Sequence, residues 1–197
     1  MLFESSINLN LKDGEVTYYP KFFNTNEANL YLDILSKKLD WKQDDITIFG
    51  KTYLQPRLTA FYAENLNTYK YSNITMKPHS FKDELLEIKE KIETKLRIKF
   101  TSCLANLYRD GKDSNGWHAD DEKELGKNPT IASVSFGAER IFHFKHKKDS
   151  ALKSKLVLEH GSLLLMQGAT QHNWLHQIPK TKKQIGKRIN LTFRIIA

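Results

Sequence analysis

Apolar and polar residues alternate with different spacings in the two halves of the chain, and these spacings predict different elements. In the first half, a strand is predicted at residues 15–19 and a helix at about residues 26–39, with Asn24 as its N-cap. A second helix is predicted at about residues 81–96, where Leu85, Ile88, Ile92 and Leu96 recur at helical spacing. Ser80 is a suitable N-cap for that helix.

From residue 101 onward, short apolar stretches are separated by turn residues. They predict strands at about residues 102–108, 130–137, 140–146, 155–159, 162–167, 173–178 and 188–196. Such a succession is typical of antiparallel sheets that form a sandwich or a jelly roll. We therefore expect a mainly β fold with flanking helices, and the 197 residues suffice for one core and one domain.

The last predicted strand has two chemically different faces. Arg188, Asn190, Thr192 and Arg194 occupy alternate positions, and apolar residues fill the positions between them. Two arginines on one face need anionic partners, and a dicarboxylate such as 2-oxoglutarate has two groups that arginine binds by paired hydrogen bonds. An exposed amphipathic edge strand is the alternative interpretation.

A His-x-Asp pair at His118 and Asp120 is a candidate metal site. Residues two apart in a strand project to the same side, so these two side chains can reach one ion. Two imidazoles and one carboxylate on a non-haem ferrous ion leave positions for a chelating 2-oxo acid and O2. The pair alone is weak evidence, because the chain contains 7 histidines and such a pair also arises by chance.

Composition and charge favour a globular protein with a polyanionic partner. The chain is 40% hydrophobic and 11% aromatic, and its 31 Lys and Arg exceed its 23 Asp and Glu by a net charge of +8. Residues 145–188 hold ten basic and two acidic residues. We interpret these lysines as phosphate contacts, although solvated loop lysines are the ordinary alternative.

The lone Cys103 excludes an intrachain disulfide, as in a reducing cytosol. No apolar run has the length of a transmembrane helix, and the first residues lack the basic start of a secretory signal. The sequence therefore predicts a soluble intracellular protein without a membrane partner.

Together these motifs resemble the AlkB family of Fe(II)/2-oxoglutarate-dependent nucleic-acid dealkylases, specifically its small DNA repair enzymes that act on duplex DNA. The similar stretches are residues 48–50, 56–60, 69–72, 106–144, 160–162, 174–179 and 188–194. The resemblance implies a double-stranded β-helix, or jelly roll, with an N-terminal helical buttress. It also implies one dioxygenase domain over residues 1–197, in which residues 45–75 form a nucleotide-recognition lid.

The resemblance implies that His118, Asp120 and His176 bind Fe(II). His176 is preferred to His172 because it follows Trp174 and precedes a hydrophobic residue and a proline, as in the family. His160 is expected to be structural. The implied 2-oxoglutarate contacts are Asn106, Tyr108, Arg188, Asn190, Thr192 and Arg194, although Asn106 and Tyr108 could instead satisfy each other in the core.

The residues implied to handle the nucleotide lie mainly in the predicted lid. Phe49, in a turn with Gly50 and Lys51, resembles an apolar finger that fills the gap left by a flipped base. Tyr69, Lys70 and Tyr71 resemble a base-stacking strand, with Tyr71 holding the base against His118. Asp121 would accept a hydrogen bond from the exocyclic amine, with support from Glu122, and Lys182 and Lys183 would contact phosphates. Core tyrosines, an ordinary hairpin tip and solvated acids are the alternatives.

The implied activity is oxidative demethylation of 1-methyladenine and 3-methylcytosine in DNA, which consumes 2-oxoglutarate and O2 and releases formaldehyde. Duplex DNA is the expected partner, a single strand is possible, and RNA is not excluded. The alternatives are an Fe(II)/2-oxoglutarate hydroxylase or demethylase that acts on RNA or protein, and a basic β-sandwich that binds nucleic acid without catalysis. We expect a monomer in the cytoplasm of a bacterium, near the nucleoid, or in the nucleus of a eukaryote.

Overall fold

The computed structural model describes residues 6–48, 50–65, 69–71 and 74–196, which form three α-helices, one 3-10 helix (Lys123–Leu125) and fifteen strands. The helices are α1 (Thr25–Lys38), α2 (Asp83–Leu96) and the short α3 (Thr170–Asn173). The strands are β1 (Ile7–Asn8), β2 (Glu15–Tyr19), β3 (Asp45–Ile48), β4 (Lys51–Leu54), β5 (Leu58–Ala63), β6 (Tyr69–Tyr71), β7 (Ile74–Met76), β8 (Ser102–Tyr108), β9 (Asn115–His118), β10 (Ile131–Gly137), β11 (Arg140–His146), β12 (Lys153–Leu158), β13 (Ser162–Gln167), β14 (Trp174–Ile178) and β15 (Arg188–Arg194).

Most strands belong to two antiparallel sheets. The major sheet has seven strands in the order β1-β2-β13-β10-β15-β8-β5, and the minor sheet has four in the order β12-β11-β14-β9. Neighbours in the sheet order are mostly distant in sequence, as in β2 beside β13 and β8 beside β15. Such long connections between antiparallel strands are typical of a jelly roll.

The two faces of the major sheet bury different cores. One face packs against α1 and α2 through residues such as Leu35, Ile88 and Phe193. The other face packs against the minor sheet, where Tyr18 and Met166 meet Phe144. The helical buttress predicted from sequence is therefore present, and the space between the sheets is closed by apolar side chains around a polar pocket.

Strand β15 shows how the alternation of the sequence positions that pocket. Ile189, Leu191 and Phe193 belong to the core under the helices. The intervening residues Arg188, Asn190, Thr192 and Arg194 are also buried, and they line the cavity between the sheets. The exposed edge strand that was the alternative interpretation is wrong, because β15 lies between β10 and β8.

One of the two predicted helix caps is confirmed. The Asn24 side chain accepts a hydrogen bond from the Glu27 N–H at 3.0 Å, and the Glu27 carboxylate accepts from the Asn24 N–H at 2.9 Å. Such a capping box contributes about 1 kcal/mol to stability. The cap predicted at Ser80 is wrong: α2 begins at Asp83 after Lys82, whose side chain makes no capping bond. Phe81 instead packs onto the core. The acidic residues in the first turn, Asp83 and Glu84, stabilise α2 by their interaction with the positive end of the helix dipole.

Several predicted boundaries also shift. Strand β12 begins at Lys153 and ends at Leu158, and β15 ends at Arg194. Strand β14 begins at Trp174 because the preceding four residues form α3. Strand β5 was missed, because it is buried along almost its whole length and shows no alternation of polar and apolar residues.

The segment predicted as a lid, residues 45–75, contains two hairpins and a strand of the major sheet. Strands β3 and β4 pair with each other, as do β6 and β7, and β5 pairs with β8. Gly50 has a left-handed φ of 76° in the turn of the first hairpin, a conformation that suits glycine. No helix in the described ranges is long and apolar enough to span a membrane.

Candidate metal centre

The two histidines and the aspartate predicted to bind metal meet in the cavity between the sheets. His118 ends β9, His176 lies in the middle of β14, and the two are direct partners across these strands. One ligand atom from each of His118, Asp120 and His176 lies within 4.8 Å of the other two. Small side-chain adjustments therefore suffice to place all three on one ion.

Asp120 reaches this cluster by a route that the sequence did not predict. Strand β9 ends at His118, so the argument that both residues share a strand is wrong in detail. The Asp120 N–H donates to Oε1 of Gln171 at 2.9 Å instead of joining a strand ladder. Gln171 is fully buried in α3, and it anchors the backbone of Asp120.

Both imidazoles are neutral near pH 7. Burial, followed by the neighbouring His118, lowers the pKa of His176 to about 3. Burial also lowers the pKa of His118, although Asp120 opposes the shift. The Nδ1 of His118 lies 2.8 Å from the carbonyl oxygen of Gly116, which can only accept, so Nδ1 carries the proton and Nε2 keeps its lone pair. In this structure Nε2 of His118 lies 3.2 Å from the side-chain nitrogen Nδ2 of Asn115.

The carboxylate of Asp120 is ionised and held by an arginine of β15. Nη2 of Arg194 donates to Oδ1 of Asp120 at 2.8 Å, and both side chains are buried. Burial alone would raise the pKa of Asp120, but Arg194, His176 and His118 lower it below its ordinary value. Two neutral nitrogens and one anionic oxygen are a donor set that suits a divalent transition metal.

Arg188, six residues earlier on β15, has no such partner. Its Nη2 donates to Oγ of Ser135 at 2.9 Å, and its guanidinium lies 5.1 Å from the ring centre of Tyr108. Among the described residues, no acceptor is within hydrogen-bond range of Nε or Nη1, although both atoms are buried. Burial lowers the pKa of Arg188 to about 10, so it stays charged at neutral pH. Buried, charged donors of this kind fit a carboxylate ligand.

The other predicted cosubstrate residues line the same pocket but are held by protein groups. Asn190 donates to Oγ of Ser133 at 2.8 Å and accepts from Thr192 at 3.0 Å. Asn106 accepts from Nε of Arg57 at 2.8 Å. Arg57 lies in the family-like stretch 56–60 but was assigned no role from sequence, because its partner Asn106 is far away in the sequence. Besides these residues, the pocket is lined by Leu104, Tyr108, Asn115, Phe142, Met166 and Ile178.

The residues predicted to handle a nucleotide are only partly described. Phe49 lies outside the described residues, and the side chains of Tyr69, Lys70 and Tyr71 do as well, whereas Lys51 is exposed on β4. Asp121 is exposed and forms an ion pair with Lys147 at 2.9 Å. Burial, followed by Asp120, raises the pKa of Glu122. These nucleotide contacts stay predictions.

The predicted phosphate-binding residues Lys182 and Lys183 are exposed on the loop between β14 and β15. The N–H of Thr181 on this loop donates to the carbonyl of Gly111 at 2.8 Å. A side chain at Gly111 would come within 2.6 Å of that loop's backbone, so the glycine permits the close contact. The two lysines are therefore presented on an anchored loop.

The remaining histidines stay apart from the metal cluster. His172 is exposed on α3, and its Nε2 accepts from the N–H of Asn128 at 3.2 Å. Nδ1 of His160 accepts from the N–H of Gly137 at 2.8 Å, a structural role as predicted. The geometry therefore supports His176 over His172 as the distal ligand.

Comparisons with known proteins agree with this geometry. A family model of the 2OG-Fe(II) oxygenase superfamily matches residues 15–194. The chain belongs to this superfamily. It is 43% identical over 192 residues to alpha-ketoglutarate-dependent dioxygenase alkB homolog 3 of Homo sapiens, with 93% of the chain and 66% of the relative covered. It is 38% identical over 189 residues to DNA oxidative demethylase ALKBH2 of Homo sapiens, with 90% of the chain and 72% of the relative covered.

These relatives place the chain in the AlkB branch, and the chain spans about two thirds of the length of alkB homolog 3. The solved structure of OsALKBH1 has the same fold, with a TM-score of 0.67 at 17% identity over 93% of this chain and 99% of that one. The predicted jelly roll is thereby confirmed.

The residues of the pocket fit the groups that this superfamily uses, which are Fe(II), 2-oxoglutarate and O2. His118, Asp120 and His176 supply the donor set for iron. The unsatisfied nitrogens of Arg188 supply the complement of a carboxylate. The cofactor prediction made from sequence is therefore confirmed.

Proposed function

We propose that the chain is an Fe(II)/2-oxoglutarate-dependent demethylase that removes N-methyl groups from 1-methyladenine and 3-methylcytosine in DNA. The observation that carries this proposal is one buried pocket with an iron donor set at one end and the unsatisfied guanidinium of Arg188 at the other. Its relatives are named as alpha-ketoglutarate-dependent dioxygenases and DNA oxidative demethylases, which supports the same reaction here.

When bound, iron with 2-oxoglutarate and O2 supplies the oxidising chemistry that hydroxylates an N-methyl group, which then leaves as formaldehyde. The chain contributes orientation and charge. His118, Asp120 and His176 hold the metal, and Arg194 fixes the carboxylate of Asp120. Arg188 holds the remote carboxylate of 2-oxoglutarate, because two of its guanidinium nitrogens have no acceptor among the described residues and its guanidinium lies 5.1 Å from the ring centre of Tyr108. Apolar residues around the pocket, such as Phe142 and Ile178, exclude water.

Charge supports DNA as the substrate. The net charge of +8 and the exposed Lys182 and Lys183 complement a phosphate backbone. A cationic methylated ring would be stabilised by the acidic residues that follow the metal ligand, Asp121 and Glu122. We further propose that the protein acts as a monomer on duplex DNA, with Tyr71 stacking on the flipped base and Phe49 filling the gap that it leaves.

The test is formaldehyde release from matched oligonucleotides that carry one 1-methyladenine. The same sequence is supplied as single-stranded DNA, duplex DNA and RNA, with Fe(II), 2-oxoglutarate and ascorbate. Release from DNA supports the proposal. Turnover of 2-oxoglutarate without formaldehyde from any of the three would instead indicate a hydroxylase with another substrate, such as protein.

Phe49→Ala tests the duplex part of the proposal. On a duplex the inserted ring offsets an unstacking cost of a few kcal/mol, whereas a single strand has no gap to fill. The variant should therefore lose much more activity on the duplex than on the single strand, while Tyr71→Ala should lose activity on both. Equal losses for Phe49→Ala on the two substrates would show that Phe49 serves only the fold.

A further inference from the structure

The solvent side of the minor sheet carries aromatic and basic residues that the metal pocket does not use. His143 pairs with Lys155 across β11 and β12, and Lys145 pairs with Lys153, so these four side chains share one face. Trp117 lies on this face as well, because it alternates along β9 with His118, which lines the pocket. We call this surface the outer face; its main members are Trp117, His143, Lys145, Lys153, Lys155 and Gln177.

Trp117 is the central feature of the outer face. It is 39% exposed on β9, which is an edge strand of the minor sheet. Nζ of Lys145 lies 4.4 Å from the centre of the indole, and the ring of His143 lies 6.4 Å away at an angle of 41°. An exposed indole with a cation beside it matches the surface on which a nucleobase stacks while its phosphate meets the cation.

The charge of the outer face has one sign. The four strands of the minor sheet contain no Asp or Glu. Within the part of the chain that the structure describes, Lys145, Lys153 and Lys155 form no ion pair. By contrast, Lys147 in the adjoining turn is paired with Asp121. Three uncompensated lysines in register complement a row of phosphates.

We propose that the outer face binds an unpaired nucleotide that flanks the base in the pocket, with its base stacked on Trp117 and its phosphate near Lys145. This inference rests on the proposed function. Trp117 and His118 are adjacent on an edge strand, so a nucleic-acid strand that leaves the pocket over β9 comes directly to the indole. Neighbouring bases in a duplex are stacked on each other, whereas those of a single strand offer a free face. The outer face therefore serves single-stranded substrates, in addition to the duplex on which Phe49 is proposed to act.

The first experiment measures binding of an unmethylated oligothymidylate about 12 nucleotides long by fluorescence anisotropy, with an oligomer of abasic sites of the same length as the base-free probe. Trp117→Ala should weaken binding of oligothymidylate about tenfold, because the loss of one stacked base has this effect. The variant should bind the abasic oligomer as the wild type does. Trp117→Phe should retain most of the affinity, since it keeps an aromatic face.

The matched control is Ile141→Ala. Ile141 is 44% exposed on the solvent side of β11, so this change removes exposed apolar surface from the same sheet without removing a ring. It should leave the affinity for oligothymidylate unchanged. Equal losses for Ile141→Ala and Trp117→Ala, or equal losses on the abasic oligomer, would overturn the stacking role.

A second measurement follows tryptophan fluorescence as oligothymidylate binds. Trp41 is half-buried and Trp174 is buried, so stacking on Trp117 should quench tryptophan fluorescence in the wild type but not in Trp117→Phe. Absence of this difference, in a protein that releases formaldehyde from methylated DNA, would refute the outer-face proposal alone. A wild-type protein that neither binds oligothymidylate nor demethylates DNA would contradict the proposed function itself.

Discussion

Replacing Arg188 by Met should weaken the binding of 2-oxoglutarate without destabilising the ligand-free protein. Arg188 is buried at 1% exposure, and one of its three guanidinium nitrogens donates to Ser135. The other two lie in the pocket without an acceptor among the described residues. The Arg188 side chain therefore has two nitrogens that are able to donate to a ligand. Met has a similar length but carries no charge.

Arg188→Met should lower the affinity for 2-oxoglutarate but should not lower the stability of the ligand-free protein. Removal of one partner of a buried charge pair costs about 3–5 kcal/mol, so the affinity for 2-oxoglutarate should fall by a factor of roughly 100 or more. In the ligand-free protein no such pair exists at Arg188. Replacement of a buried charge by an apolar side chain is then neutral or stabilising by about 1–4 kcal/mol. For a chain of this size, each kcal/mol corresponds to roughly 2–4 °C in the midpoint of thermal unfolding.

The assay is calorimetric titration of 2-oxoglutarate into protein loaded with Mn(II), together with thermal unfolding of the metal-free protein. Arg140→Met is the matched control, since Arg140 is also buried and near Tyr108 but donates to the carbonyls of Asp110, Asp113 and Pro179. That control should lose stability and keep its affinity. If Arg188→Met lost as much stability as Arg140→Met and bound 2-oxoglutarate normally, the assignment would be refuted.

Three further predictions concern the metal, the phosphates and the fold. His176→Ala should abolish Mn(II) binding and turnover, whereas His172→Ala should retain most of both; the reverse result would exchange their roles. Changing Lys182 and Lys183 together to Gln should weaken binding to all DNA sequences alike and reduce the salt dependence by about one unit of slope per lost contact; a sequence-selective loss would argue against phosphate binding. Burial alone would raise the pKa of Glu93, but Lys89, Lys99 and the N–H of Phe100 lower it. Its stabilising effect is therefore present above about pH 4.5 and lost as pH falls through the lower folded value, and Glu93→Gln should cost about 2–3 kcal/mol at pH 7 in urea unfolding. A variant as stable as the wild type at pH 7 would contradict this role.

The parts of the molecule that could be predicted from sequence are those that repeat a local pattern. Alternation along β15 predicted which of its side chains face the pocket, because a strand buried between two different layers needs two different faces. The spacing of Leu85, Ile88 and Ile92 predicted α2 for the same reason. His176 was distinguished from His172 by its sequence context alone, and the structure gives the two histidines different partners. His172 accepts a hydrogen bond from the N–H of Asn128, whereas the ring of His176 lies 4.3 Å from that of His118.

The missed residues are single polar side chains whose partners are far away in sequence. Gln171 is 51 residues from Asp120, and Arg57 is 49 residues from Asn106. Neither belongs to a repeating pattern, so only the folded chain shows that each is buried against a pocket residue. Strand β5 was missed for the opposite reason, since burial of both faces removes the alternation by which strands are recognised.

The two arginines of β15 are equivalent in sequence, but the fold gives them different tasks. Both lie on the pocket face, six residues apart on one strand. Arg194 is next to the metal ligands and donates to Asp120 at 2.8 Å, so its charge offsets that of a buried carboxylate inside the protein. Arg188 is beside Tyr108 and Ser135, both uncharged, so its charge is left for a ligand. Arg194→Met should therefore mainly disturb the metal ligands, whereas Arg188→Met should mainly disturb binding of the cosubstrate. This difference follows from one acidic residue, because Asp120 lies within reach of only one end of the strand.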